Sequence, residues 1–268
     1  MRKIQIILAG LFILSACNNE EKKEAESKVM ISDLVAENLK GDVQAVEESP
    51  YKTDSTGKPG EMDSCCIDWW EYDANGNYIK SVSKDSKGTV KEESTSERYP
   101  GGLWKNQKTM KGGKLSSSFE TQLDEKEQYT GGQFFDSTGK LVYYYTDIKR
   151  NEFGQVFAWK QYDKDSVFRQ EGDGAYEKNL QMEATTKDSL GKVKSVTKYK
   201  YNDKGEQTES TNTSTVKDST TTKVTKYTYD AHDEQGNWTQ RTTWDDKGKA
   251  TKVLRRTYTY RKKEEAKK

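Results

Sequence analysis

Gly76–Gly88, GNYIKSVSKDSKG, has a near twin 160 residues further on at Gly236–Gly248, GNWTQRTTWDDKG. Both stretches begin Gly-Asn-aromatic and end Asp-x-Lys-Gly. The closing tetrad, Asp or Asn followed three residues later by Gly, also occurs at Asp54–Gly57, Asp73–Gly76, Asp136–Gly139, Asn151–Gly154, Asp188–Gly191, Asn202–Gly205 and Asp233–Gly236. Its spacing has a physical reading. The Asx side chain caps a tight turn, two residues reverse the chain, and Gly takes the positive φ that completes a bulged hairpin loop. Weaker turn signals fill the gaps: Pro100-Gly101-Gly102, Lys111–Lys114, Asp124–Glu127, Asp163–Ser166, Asp173-Gly174 and Asp218–Thr220. Together they bring a reversal about every 12–16 residues, with strands of about 8–12 residues between.

Between turns the chain alternates with period two. Val193, Ser195, Thr197, Tyr199 and Tyr201 share one face, with Lys194, Val196, Lys198 and Lys200 on the other. Trp238, Gln240, Thr242 and Trp244 are expected on one face, opposite Thr239, Arg241 and Thr243. Alternation of β-branched and aromatic residues is a strand signal, and no window shows the helical period. One short helical stretch is expected at Ile31–Leu39, with Ser32 as N-cap and Gly41 as terminator. The fold class is therefore all-β: an extended antiparallel meander of about 14–16 strands in a single curled sheet. A closed barrel or a two-layer sandwich is the alternative.

The first residues form a targeting segment. Arg2 and Lys3 precede an apolar run, Ile4–Leu14, that is too short to span a bilayer. Leu14-Ser15-Ala16-Cys17 resembles the bacterial lipobox. That resemblance implies cleavage before Cys17 and acylation of its thiol, anchoring the chain to a membrane. Asn18–Glu24 is charged and reads as a solvated tether. The resulting organisation is a signal peptide at 1–16, a tether at 17–30, a repeat domain at 31–260 and a charged tail at 261–268. The acidic residues after Cys17 resemble a surface-export signal, and Asn18 is not the Asp of inner-membrane retention. The expected address is the outer membrane, where periplasmic and surface faces both fit.

Tyr72-Asp73-x-x-Gly76-Asn77, Tyr201-Asn202-x-x-Gly205 and the Tyr229-Asp230 segment leading to Gly236-Asn237-Trp238 resemble YD repeats, the β-hairpin units of Rhs-type shells. The resemblance covers roughly residues 41–260. It implies an extended, curling sheet without catalysis of its own.

Composition narrows the function. The chain has 45 Lys and Arg against 44 Asp and Glu. That balance, without a basic cluster, excludes a nucleic-acid partner. Only 31% of residues are hydrophobic, against about 45–50% in ordinary globular domains. A sheet can stand on so thin a core when ladder hydrogen bonds and cross-strand pairs carry it. No catalytic residue is assigned: the single histidine, His232, has no second histidine for a zinc triad, and no phosphate- or dinucleotide-binding glycine motif occurs. No metal or cofactor is implied. Cys65 and Cys66 read as a disulfide or as two reduced, packed thiols. Trp69, Trp70, Trp238 and Trp244 are candidate ligand-stacking aromatics, or else a stripe that holds the sheet together. Asp-Ser followed by Thr, Val or Leu resembles an O-glycosylation sequon at Ser55, Ser137, Ser166, Ser189 and Ser219. The expected function is a non-enzymatic, lipid-anchored envelope protein that binds a protein or glycan partner, or scaffolds, through its sheet surface. The alternative is a glycan- or small-ligand-binding lipoprotein of nutrient uptake.

Overall fold

The computed structural model describes residues 30–125, 129–217 and 219–262; the Cys17 lipidation site, the signal segment and most of the tether lie outside them. A four-residue helix, α1 (Asp33–Ala36), precedes seventeen strands. They are β1 (Val43–Thr53), β2 (Pro59–Met62), β3 (Ile67–Tyr72), β4 (Tyr78–Lys84), β5 (Val90–Arg98), β6 (Trp104–Lys111), β7 (Lys114–Leu123), β8 (Tyr129–Asp136), β9 (Leu141–Arg150), β10 (Val156–Asp163), β11 (Phe168–Glu177), β12 (Leu180–Asp188), β13 (Val193–Tyr201), β14 (Gln207–Val216), β15 (Ser219–His232), β16 (Trp238–Trp244) and β17 (Ala250–Tyr260).

From β3 onward each strand pairs antiparallel with the next. β1 then pairs with β3 on one side and with β17 on the other. Sixteen strands therefore close into a ring, and short β2 attaches to β1 alone. This corrects the single curled, open sheet: the alternative, a closed barrel, is the fold. It also corrects the reading as YD or Rhs-type repeats, because the open, curling sheet that resemblance implies is absent.

The turns form as their residues dictate. In Asp73–Gly76, the Gly76 N–H donates to the Asp73 carbonyl and the Asp73 N–H to the Asn77 carbonyl. The Asp73 carboxylate accepts from the N–H groups of Asn75 and Asn77. Gly76 has φ +78°, a region closed to most side chains. The other eight tetrads repeat the Gly-to-Asx hydrogen bond. Ser166 takes the glycine position of its turn with φ +60°. Asp173-Gly174 is not a turn; it lies inside β11, and the reversal comes at Lys178, φ +56°. Gly172 sits beneath the Trp159 ring, where a Cβ would stand 2.4 Å from the indole. A strand glycine here marks close approach rather than reversal.

The buried apolar residues gather at the seam. Val43, Ala45 and Val46 of β1 and Ala250, Val253 and Leu254 of β17 are all nearly inaccessible; Val43 and Val46 stand opposite Tyr260 and Tyr258, and Val253 and Leu254 opposite Tyr51 and Pro50. Elsewhere the outer wall carries cross-strand ion pairs: Lys80–Glu93, Lys105–Glu97, Lys160–Asp147, Lys198–Glu183 and Lys200–Glu209. A lipid-facing barrel presents an apolar band outward, and each midplane Lys costs about 2–4 kcal/mol there. The outer wall of this barrel is built for water.

Two glycines separate the forces at work. Gly139 has φ +78° with open space around it, whereas a Cβ on Gly131 would meet the Tyr145 carbonyl oxygen at 2.0 Å. Gly139→Ala should cost about 1 kcal/mol and Gly131→Ala about 3 kcal/mol by chemical denaturation. Equal losses would contradict the close approach of β8 to β9.

Candidate functional site

One rim of the barrel is stoppered by residues 30–40. The Ile31 N–H donates to the Phe153 carbonyl in the β9–β10 turn, and the Leu34 N–H to Gly76 in the β3–β4 turn. Asn38 donates to the Lys204 carbonyl, and Asn179 donates back to Val35. The Lys40 N–H donates to Asn237, whose amide returns a hydrogen bond to the Lys40 carbonyl. A segment that meets turns all around the circumference must lie across the mouth. Leu34 supplies its apolar grip, packed on Val43, Val46 and Tyr72. Asp33 supplies a polar one, accepting from the Tyr78 N–H at 2.7 Å and pairing with Arg98. α1 is shorter than the expected Ile31–Leu39, and Ser32 makes no side-chain capping bond.

Inside the mouth the wall is braced by a tyrosine ladder. Tyr176 donates to the Val156 carbonyl, Tyr201 to Gln181, Tyr229 to Gln207 and Tyr258 to Trp238. Each tyrosine lies near the end of its strand and reaches the start of the strand before it. Burial first, then the neighbouring Tyr199 and Tyr176, push Tyr201 up to about 12. Burial does the same to Tyr258, also to about 12, against the opposing charge of Arg256. These phenols stay neutral and keep donating.

Arginines stack between the rings: Arg98 lies 4.4 Å from the Trp104 centroid, Arg150 4.6 Å from Tyr129, and Arg256 4.1 Å from Trp238. Arg256 is also paired with Glu48 at 2.8 Å. The stopper divides the mouth into two cavities. One, of about 490 Å³, is lined by Tyr176, Tyr201, Tyr229, Trp238, Arg241 and residues 36–40. The other, of about 310 Å³, lies between Met30, Arg98, Trp104, Phe119, Tyr129 and Arg150. A sixteen-strand wall is too wide for side chains to fill, so such spaces are expected.

The four candidate tryptophans do not form one platform. Trp238 is nearly buried and lines the larger cavity. Trp70 packs beside the Leu34 cluster, with Arg256 5.7 Å from its ring. Trp69, next to it in β3, takes the outer face and pairs with Val82. Trp244 lies outside as well, its Nε1 donating to Thr228 at 3.0 Å and its ring beneath Gly57 of the β1–β2 loop. The expectation that Trp238 and Trp244 share a face fails because of a bulge. The register slips between Ala231 and His232, which oppose Gln240 and Trp238, so Thr239 is the extra residue. A bulge re-aims the side chains beyond it, and Trp238 joins Arg241 inside.

Cys65 and Cys66 are joined by a disulfide in the β2–β3 connection, with Cys66 at φ +67°. Ser55, Ser137, Ser166, Ser189 and Ser219 all stand at or beside turns of the rim opposite the stopper, joining β1–β2, β8–β9, β10–β11, β12–β13 and β14–β15. Sequence reasoning missed the tyrosine ladder and the arginines. A detectable signal was the tyrosine recurring near strand ends at Tyr176, Tyr201, Tyr229 and Tyr258.

His232 is committed to Glu206, its Nε2 2.6 Å from the carboxylate. No group of three metal-ligating side chains occurs among the described residues. The mouth is an arrangement of rings, amides and fixed charges suited to binding.

No family model and no curated protein matches the sequence. Among solved structures, a porin-like protein from Bacteroides uniformis aligns at TM-score 0.37 and 10% identity, over 81% of this chain and 96% of that one. A porin-like protein from Bacteroides vulgatus aligns at 0.35 and 12%, over 81% and 98%. The Photorhabdus luminescens Tc holotoxin pore aligns at 0.30 and 12%, over 78% of this chain and 14% of that one. At such scores the likeness assigns neither family nor activity.

The Glu206–His232 pair generates a pH test. Burial raises the Glu206 carboxyl, but hydrogen bonds from Asn202 and His232 outweigh it and hold the group below its ordinary value of 4.5. A carboxyl lowered by folding adds stability above that ordinary value and loses it as pH falls through the folded one. Glu206→Gln should cost about 1–3 kcal/mol at neutral pH, with the gap to the native chain narrowing on acidification. A gap in thermal stability that stays constant down to acid pH would contradict this.

Proposed function

We propose that the protein is a lipid-anchored barrel of the bacterial outer membrane that holds a saccharide or similar small polar ligand in its plugged mouth, as a binding component of nutrient uptake. This replaces the reading of a scaffold that works through an open sheet surface, since closure of the ring leaves no such sheet. The larger mouth cavity carries the proposal. Its rings offer faces to C–H surfaces, while Gln155, Gln181, Gln207 and Asn179 offer amides to hydroxyls.

On this reading Cys17 carries the acyl anchor, as two or more chains make attachment stable. Twelve residues lie between Cys17 and Met30, a stretch that can reach at most about 45 Å. The stoppered rim is then the one nearer the membrane. The five sequon serines lie on the far rim, where a bulky glycan meets solvent. We assign O-glycosylation to them, and an intact mass from the native host equal to the bare lipidated chain would reject it.

Calorimetric titration with neutral and acidic oligosaccharides tests the central reading. Tyr201→Ala and Trp238→Leu should each weaken binding by about tenfold or more, while Trp69→Ala, on the outer wall, leaves it unchanged. Equal effects of inner and outer replacements, in variants that melt like the native chain, would overturn it.

A further inference from the structure

The charges around the larger cavity are unequally satisfied. Glu206 accepts from Asn202 and meets His232. Glu37 accepts from the Tyr72 hydroxyl at 3.1 Å. Arg256 has Glu48. Arg241 has no such partner: no carboxylate among the described residues lies within ion-pair distance of it, and its Nε is buried without a hydrogen bond. Its guanidinium is held between two rings, 4.8 Å from the Trp238 centroid and 5.1 Å from Tyr227. Lys40 lines the same cavity from the stopper, and its ammonium has no ion pair among the described residues.

An unpaired buried cation is costly unless something completes it. Stacking fixes the plane of a guanidinium while leaving its edge to donate, and the fork of N–H groups matches a carboxylate bidentately. One of the rings that hold Arg241, Trp238, also borders the space in which a sugar would lie. We propose that the natural occupant of this cavity is an acidic saccharide of the uronic-acid class, its carboxylate on Arg241 and its ring against Trp238 and Tyr229, with Lys40 supplying the second positive charge. The inference rests on the lumen-binding reading and narrows it from saccharides at large to anionic ones.

The test compares digalacturonate with its neutral counterpart, digalactose, on the full chain by calorimetry at low and high salt. The acidic sugar should bind about tenfold or more tighter, and the preference should weaken with salt. Arg241→Gln should abolish the preference, bringing the affinity for the acidic sugar down to that for the neutral one, and Arg241→Lys should restore only part of it, because charge returns without the fork. Melting curves check that both variants fold, and Lys40→Gln, on the stopper surface, provides an independent reduction if they do not. Equal affinity for the two sugars, or a preference indifferent to both Arg241 and Lys40, overturns the anionic assignment and leaves saccharide binding standing. Binding of neither sugar, with the outer-wall controls intact, defeats the lumen reading and this inference together.

Discussion

The pairing of β1 with β17 is the constraint on which the rest of the molecule depends. It joins residues more than 200 positions apart, from Val43 opposite Tyr260 to Tyr51 opposite Val253. Without it the first and last strands would each expose a row of unpaired backbone groups, an invitation to association. With it every wall strand has two neighbours, and the ring acquires an inside. The chain concentrates its scarce apolar residues at this seam: Val43 and Val253 are fully buried, and Val46 and Leu254 nearly so. Low overall hydrophobicity is thus compatible with a definite fold. Most of the wall stands on ladder hydrogen bonds, Thr–Thr contacts such as Thr213–Thr222, and ion pairs, each of small worth.

Closure then dictates what the interior can be. A ring this wide cannot be packed solid, so its mouth is stoppered by residues 30–40 and braced by tyrosines that donate to carbonyls of the neighbouring strand. Leu34 docks against the seam itself, on Val43 and Val46. The stopper and the closure are therefore one structural unit, and the arginine-and-ring lining of the mouth is positioned by both. The outer wall is charged and the inner one aromatic.

Much of the local structure was legible in the sequence. The Asx-x-x-Gly tetrads reverse the chain as their chemistry requires, and the alternation expected at Val193–Tyr201 holds in β13 from Ser195 to Tyr201, while a bulge at Lys194 turns Val193 to the other face. The larger arrangement was not legible, for physical reasons. Closure is a contact between chain ends, and neither β1 nor β17 carries a local mark of its partner. The slip at Thr239 that sends Trp238 inward and leaves Trp244 outside is a single extra residue with no compositional signature. Gly174 looked like a turn former because a glycine inside a strand and one that reverses the chain read alike. Arg241 reads as one of many surface cations until the register of β15 against β16 places it between Trp238 and Tyr227.

Spin labels at Glu47 and Thr257, directly opposed across the seam, give the most direct measurement. In the closed ring their separation by pulsed electron resonance is short, about 20 Å or less including the label arms. In an open sheet of the same strands the two positions would lie about 70 Å apart at ~4.8 Å per strand, and a distance of that order would contradict the barrel.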